Sequence, residues 1–100
     1  MENVPFNIIN NTANQQLEVQ LNGETAVLTY RFYKKNIALM HTTVPEGLKG
    51  RGIASALARR AFAYAEELKR PVMVYCPFVA KFIQEHPEYR SQLDPSLYRK

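Results

Sequence analysis

Three features of this 100-residue chain have residue types that bind or react: the run Val44-Pro45-Glu46-Gly47-Leu48-Lys49-Gly50-Arg51-Gly52-Ile53-Ala54, the thiol of Cys76, and the imidazole of His41. The run sets three glycines and two cations between a β-branched apolar stretch and a long Ala/Leu-rich pattern. Glycine lets a backbone come close to a ligand and take positive φ. A helix opening at Ile53 turns unpaired N–H groups, and the positive end of its dipole, toward whatever lies above it. Each such contact is worth ~0.3–1 kcal/mol at an exposed site. Several of them, converging with Lys49 and Arg51, make an anion pocket suited to phosphate or pyrophosphate. The spacing is not that of a Walker loop, nor of the Gly-x-Gly-x-x-Gly dinucleotide turn. The competing reading is an ordinary glycine-rich strand–helix turn with solvated cations.

The flanking pattern says which elements hold these groups. Phe6 to Asn10 reads as a short first strand. Leu17, Val19 and Leu21 alternate with Glu18 and Gln20, the period of a half-buried second strand. Asn22-Gly23 is the strongest short hairpin signal. Glu24 to Tyr33 is its partner, with Ala26, Leu28, Tyr30 and Phe32 on one face, all read as core. Tyr33 to Asn36 is the next turn, and Ile37 to Val44 a fourth strand. The period then changes: Ile53, Ala54, Leu57, Ala61, Ala65 and Leu68 recur at helical spacing. Ala54, Ala58 and Ala61 let that helix lie close to the sheet, and Pro71 ends it. Val72 to Tyr75 is continuously apolar, as for a strand buried on both faces. A right-handed crossover makes it parallel to the fourth strand. Pro77 opens a helix running to about Glu85. His86-Pro87 breaks it, and Arg90 to Tyr98 is expected as a last short helix. The fold class is therefore mixed α/β: an antiparallel four-stranded meander, then helix, parallel fifth strand and helix, in a single domain spanning residues 1–100.

Composition narrows the partners. No run approaches the roughly 20 apolar residues of a membrane span, and the N-terminus lacks a basic, apolar signal core. One cysteine excludes an internal disulfide framework and fits a reducing cytoplasm. With two histidines and one cysteine, a tetrahedral structural metal site is not expected. The net charge of +4 is uneven. Arg31, Lys34 and Lys35 precede residue 49, while the other ten of the 13 Lys/Arg lie within residues 49–100. An anionic partner near the glycine turn is one consequence; for the distal cations, a solvated helix face is the preferred reading.

The order of elements and the run Lys49-Gly50-Arg51-Gly52-Ile53-Ala54 resemble the GNAT superfamily of acetyl-CoA-dependent N-acetyltransferases. That family's signature is Gln/Arg-x-x-Gly-x-Gly/Ala, with lysine here in the first place. The chain looks closest to the small single-domain members. It carries His41-Thr42-Thr43-Val44-Pro45, Gly50-Arg51-Gly52-Ile53-Ala54, Cys76-Pro77-Phe78-Val79 and His86-Pro87-Glu88-Tyr89, in that order, over about two thirds of its length. The resemblance implies acetyl-CoA as cofactor. Its pyrophosphate would rest on backbone amides of Lys49, Gly50, Arg51, Gly52, Ile53 and Ala54. Its pantetheine would pair with Thr42, Thr43 and Val44, where the fourth and fifth strands splay. An N–H at Val44 is the candidate to polarise the thioester carbonyl. Further strands that follow in larger members are absent.

Acetyl transfer needs a positioned thioester, a polarised carbonyl and a neutral amine. Cys76 stands at a helix start, which lowers a thiol's pKa from its free value of about 8.5. It is a candidate catalytic nucleophile or a wall of the thioester pocket; the alternative is a buried, inert cysteine. His41 is the candidate catalytic base, or a hydrogen-bonded strand histidine. Alternation sets His41 and Thr43 on one face of the strand and Thr42 and Val44 on the other. Tyr75 and Tyr89 are read as core, with protonation of the leaving thiolate as their functional alternative, and His86 as a helix-terminating residue.

The acceptor, a small-molecule or protein amine, is not specified. The expected state is a cytoplasmic monomer or weak homodimer. Two alternatives stand beside the enzyme. One is a GNAT-like protein that binds coenzyme A without catalysis. The other is a KH-like nucleic-acid module, suggested by Gly47-Leu48-Lys49-Gly50 and the basic charge. It is disfavoured because a strand, not a helix, precedes the motif.

Overall fold

A computed structural model describes residues 6–97. Strands β1 (Ile8–Asn11), β2 (Gln16–Leu21), β3 (Glu24–Tyr33) and β4 (Asn36–Thr43) form an antiparallel meander. Helix α1 (Ile53–Leu68) then crosses back, and β5 (Val72–Val74) joins β4 in parallel. Helix α2 (Pro77–Glu85) follows. The sheet order is β1-β2-β3-β4-β5. The Asn22-Gly23 hairpin forms as its residues dictate: both take positive φ, at 54° and 76°, the twist that matches the flanking strands.

One face of the sheet carries the core. Leu17, Val19, Ala26, Leu28, Tyr30, Ile37 and Leu39 meet Ile53, Leu57, Ala58, Ala61, Phe62 and Ala65 of α1 and Val79, Phe82 and Ile83 of α2. Each fully buried leucine contributes roughly 1.5–3 kcal/mol over its exposed state. Ala58 and Ala61 are buried under the sheet, which is the close approach small residues permit. Lys69, at φ 57°, caps α1 through bonds from its N–H to Ala65 and Glu66 carbonyls, and Pro71 follows.

Four sequence expectations need correction. The first strand is Ile8–Asn11 rather than 6–10, because Asn11 still pairs with Gln16 and its side chain then takes the Asn14 N–H at 3.1 Å. Phe32 is not core: it stays 39% exposed near the end of β3, with the Arg70 guanidinium 4.7 Å over its ring. Leu68, on the last turn of α1, is likewise 39% exposed. The last helix is a 3-10 turn at Pro87–Gln92, not a helix from residue 90; Tyr98 lies outside the described residues. Asp94 precedes a proline, which disfavours the α region. Its N–H bonds Val72 O at 3.1 Å, and Leu93 forms a single parallel bridge to Val72. Its carboxylate accepts from Asn36 Nδ2 at 2.7 Å.

Candidate functional site

β4 and β5 part company early. Their ladder covers Ile37↔Val72, Ala38↔Met73 and Leu39↔Val74. The Tyr75 and Cys76 N–H groups then both converge on the Leu39 carbonyl, at 2.9 and 3.2 Å. Pro77 has no N–H to continue the ladder and starts α2 instead. β4 runs on to Thr43, away from β5.

A β-bulge sets which side chains face the gap. Thr29 pairs with His41, but the next β3 residue, Tyr30, pairs with Leu39, so Met40 is extra on β4. Residues directly opposite share a face. Leu39 faces the helices with Tyr30, and Thr42 does so with Leu28. An unbroken alternation from Leu39 would have turned His41 and Thr43 inward instead. The spare His41 N–H is taken by Thr29 Oγ1 at 3.2 Å. Bulges commonly re-aim side chains in this way beside functional sites.

Thr42 and Cys76 therefore meet across the gap, Oγ1 to Sγ 3.1 Å, with either as donor. Cys76 is 2% exposed and free of any disulfide. Two residues further along each chain segment, Val44 and Phe78 line a cleft of about 330 Å³, together with Leu48, Lys49, Gly50, Gly52, Ile53, Ala54 and Ser55. A 3-10 turn, Glu46–Leu48, leads into it with Leu48 fully buried as its anchor. Gly50 and Gly52 both have φ near 80°, and a Cβ on either would meet nothing within 4 Å. Gly52 caps α1 with no side-chain bond to the first-turn amides. The residues that follow it, Ile53, Ala54 and Ser55, all line the cleft.

The placements of the other sequence candidates differ. Lys49 lines the cleft and pairs with Glu46 at 3.3 Å on an exposed surface, a contact worth little by itself. Arg51 is exposed beside it. His41 and Thr43 are exposed on the helix-free face of β4, so the structure does not bring the imidazole to Cys76. Tyr75 is not core: it is 58% exposed, since its neighbour Cys76 takes the inward position. Tyr89 packs on Phe62 and Phe82 at 4.8 and 5.4 Å, and His86 on Phe82 at 4.5 Å. The sequence reading missed Leu48, Ser55 and Phe78. Ser55 was recoverable, because the unpaired amides of a helix start extend past its second residue.

Groups whose acidity the fold displaces lie away from the cleft. Hydrogen bonds from Ser96 and Asn36 lower the Asp94 carboxyl, and bonds from Gln16 and Asn11 lower that of Glu18. Burial, then Tyr64, pushes the Tyr30 hydroxyl up to about 12. Among the described residues no cluster could hold a metal ion, and no helix is long and apolar enough to cross a membrane.

A mixed sheet whose parallel strands diverge at a glycine-rich helix start defines a class. The family model of the GCN5-related N-acetyl-transferases matches residues 16–93. The chain belongs to this family. It is 36% identical over 96 residues to Protein NATD1 of Bos taurus, covering 91% of this chain and 85% of that one. Protein NATD1 of Xenopus tropicalis is 37% identical over 86 residues, with 81% and 79% covered. Protein NATD1 of Homo sapiens is 34% identical over 96 residues, with 91% and 85% covered. The KH-like alternative fails on topology: Gly47 to Gly50 links a strand to a helix after a four-stranded meander.

Proposed function

We propose that this protein is an N-acetyltransferase that binds acetyl-CoA and transfers its acetyl group to an amine. The observation that carries the reading is the parting of β4 from β5 beside a helix start whose glycines are open to the cleft. The pocket suits a diphosphate: Gly50 and Gly52 add no side chain, Gly52 leaves the first-turn amides uncapped, and Lys49 adds a cation at the rim. Bound there, acetyl-CoA supplies an activated acyl thioester.

The chain's own groups divide the remaining work. Amides of Gly50, Arg51, Gly52, Ile53 and Ala54 hold the diphosphate. Backbone of Thr42, Thr43 and Val44 lies along the gap, where the Val44 N–H would polarise the carbonyl of a bound thioester. At the floor of the gap Cys76 would take the acetyl group as a new thioester while coenzyme A leaves as its thiol, and attack by the amine would then form the amide and restore the Cys76 thiol. His41, on the opposite face of the same strand, takes the proton of an amine that reaches the gap from the helix-free side. A cytoplasmic location, with Cys76 kept as a thiol, goes with this reading.

A specific observation favours one second reading, a coenzyme A-binding protein without turnover. Among the described residues that line the cleft, the sole titratable side chain is that of Lys49. Calorimetric titration with acetyl-CoA, followed by thiol release against a panel of amines, separates the two. Binding with turnover supports the enzyme. Binding without turnover supports the second reading, and no heat up to millimolar ligand removes both.

A further inference from the structure

The contact between Thr42 and Cys76 is a polar side-chain contact that spans the opening between β4 and β5. It depends on the extra residue at Met40, which turns Thr42 to the helix-covered face. Cysteine in an extended backbone has three staggered χ1 wells open to it. Threonine is β-branched and stiff at χ1, so its hydroxyl is a rigid strut. Cys76 sits at φ −84°, ψ 121°, ahead of a proline, so its own backbone is also held. The Thr42 hydroxyl, at 3.1 Å, is a hydrogen-bond partner of the thiol.

We infer that Thr42 is a positioning residue for Cys76: its hydroxyl selects the single rotamer that holds the sulfur across the floor of the strand gap. The inference rests on the role given to Cys76 above. Thr42 acts on the thiol's orientation, so its loss is felt in the turnover step and not in coenzyme binding.

The test compares the full-length wild-type chain with Thr42→Val, Thr42→Ser and Cys76→Ala. Thr42→Val keeps the shape and removes the hydroxyl. Two readouts apply. The first needs no ligand: Hα–Hβ scalar couplings of Cys76, unambiguous because it is the sole cysteine. Wild type and Thr42→Ser give the couplings of one rotamer, and Thr42→Val gives averaged couplings. The second is kinetic. Thr42→Val lowers kcat about tenfold, the loss expected of one hydrogen bond, with KM for acetyl-CoA within about twofold. Thr42→Ser restores most of it. Combined with Cys76→Ala, the valine adds no further loss.

A single Cys76 rotamer in Thr42→Val overturns the inference. So does an unchanged kcat, or a loss of the same size with and without Cys76. If the couplings behave as expected but Cys76→Ala turns over as wild type, the nucleophile role fails and positioning for catalysis fails with it. If wild type does not bind acetyl-CoA at all, the functional reading fails instead, and calorimetry reveals that before any variant is made.

Discussion

The Cys76 amide bonds the Leu39 carbonyl at 3.2 Å, although the ladder has already ended at Leu39↔Val74. The backbone of Cys76 thus reaches back to the zipped part of the sheet, while its sulfur reaches forward to Thr42 in the open part. A residue held at both ends of such a gap is well placed for chemistry there. The same bond explains its burial, because the chain cannot swing outward before Pro77.

The glycine turn yields a prediction with an internal control. Gly52 and Gly23 both have positive φ, at 80° and 76°, and open space where a Cβ would go. An alanine in this region costs about 1–2 kcal/mol of backbone strain. Gly52→Ala and Gly23→Ala are therefore expected to lose similar stability in urea melts. Only Gly52→Ala places its methyl at the anion cleft. It should lose at least about tenfold in acetyl-CoA affinity, equivalent to about 1.4 kcal/mol, while Gly23→Ala keeps the wild-type value. Equal affinities in calorimetry would remove the turn from the binding site.

Acid stability follows from Asp94. Its carboxyl is held below the ordinary value of 3.8 by Ser96 and Asn36. A carboxyl lowered on folding adds stability above its unfolded value, and that stability is lost as pH falls through the folded one. The thermal midpoint of wild type should fall as pH drops below about 4. Asp94→Asn should be less stable than wild type at about pH 6, with the gap narrowing as pH falls below about 4. Glu18, lowered from 4.5 by Gln16 and Asn11, adds to the same acid limb. A gap that stays constant with pH would show that the charge of Asp94 contributes nothing.

Tyr30 governs the alkaline side. Its hydroxyl, buried and bonded to Asn10 Oδ1 at 2.7 Å, is raised from 10.0 to about 12, chiefly by burial. The folded state thus keeps a proton that the unfolded chain releases. This stability is complete below pH 10 and is lost as pH rises toward 12. The span corresponds to roughly 2–3 kcal/mol. Tyr30→Phe should cost about 1 kcal/mol near neutrality through its lost hydrogen bond and should flatten the alkaline limb. A limb unchanged in Tyr30→Phe would assign it to another group.

Local signals made much of this legible. Asn22-Gly23 specifies its hairpin, the change of period after Gly52 marks α1, and Pro77 marks α2. Cys76 at the end of the fifth strand was visible for the same reason. What escaped depends on contacts between distant residues. The bulge at Met40 exists only in the pairing of β3 with β4, so alternation could separate His41 from Thr42 without saying which one faces the helices. Phe32 continues the period of Ala26, Leu28 and Tyr30, yet it remains 39% exposed under the Arg70 guanidinium. Leu93 and Asp94 are drawn to the edge of β5 by Val72 and Asn36, partners far away in sequence.

On the proposed reading, coenzyme A lies with its diphosphate on the α1 amides and its tail between β4 and β5. The most direct measurement is a titration of the ¹⁵N-labelled chain with coenzyme A, followed by amide chemical shifts. The largest shifts are expected on that reading at Gly50 through Ser55, at Thr42 to Val44, and at Cys76. Saturating coenzyme A that leaves those amides unmoved, or that shifts instead the opposite end of α1 around Lys69 and Arg70, would contradict it.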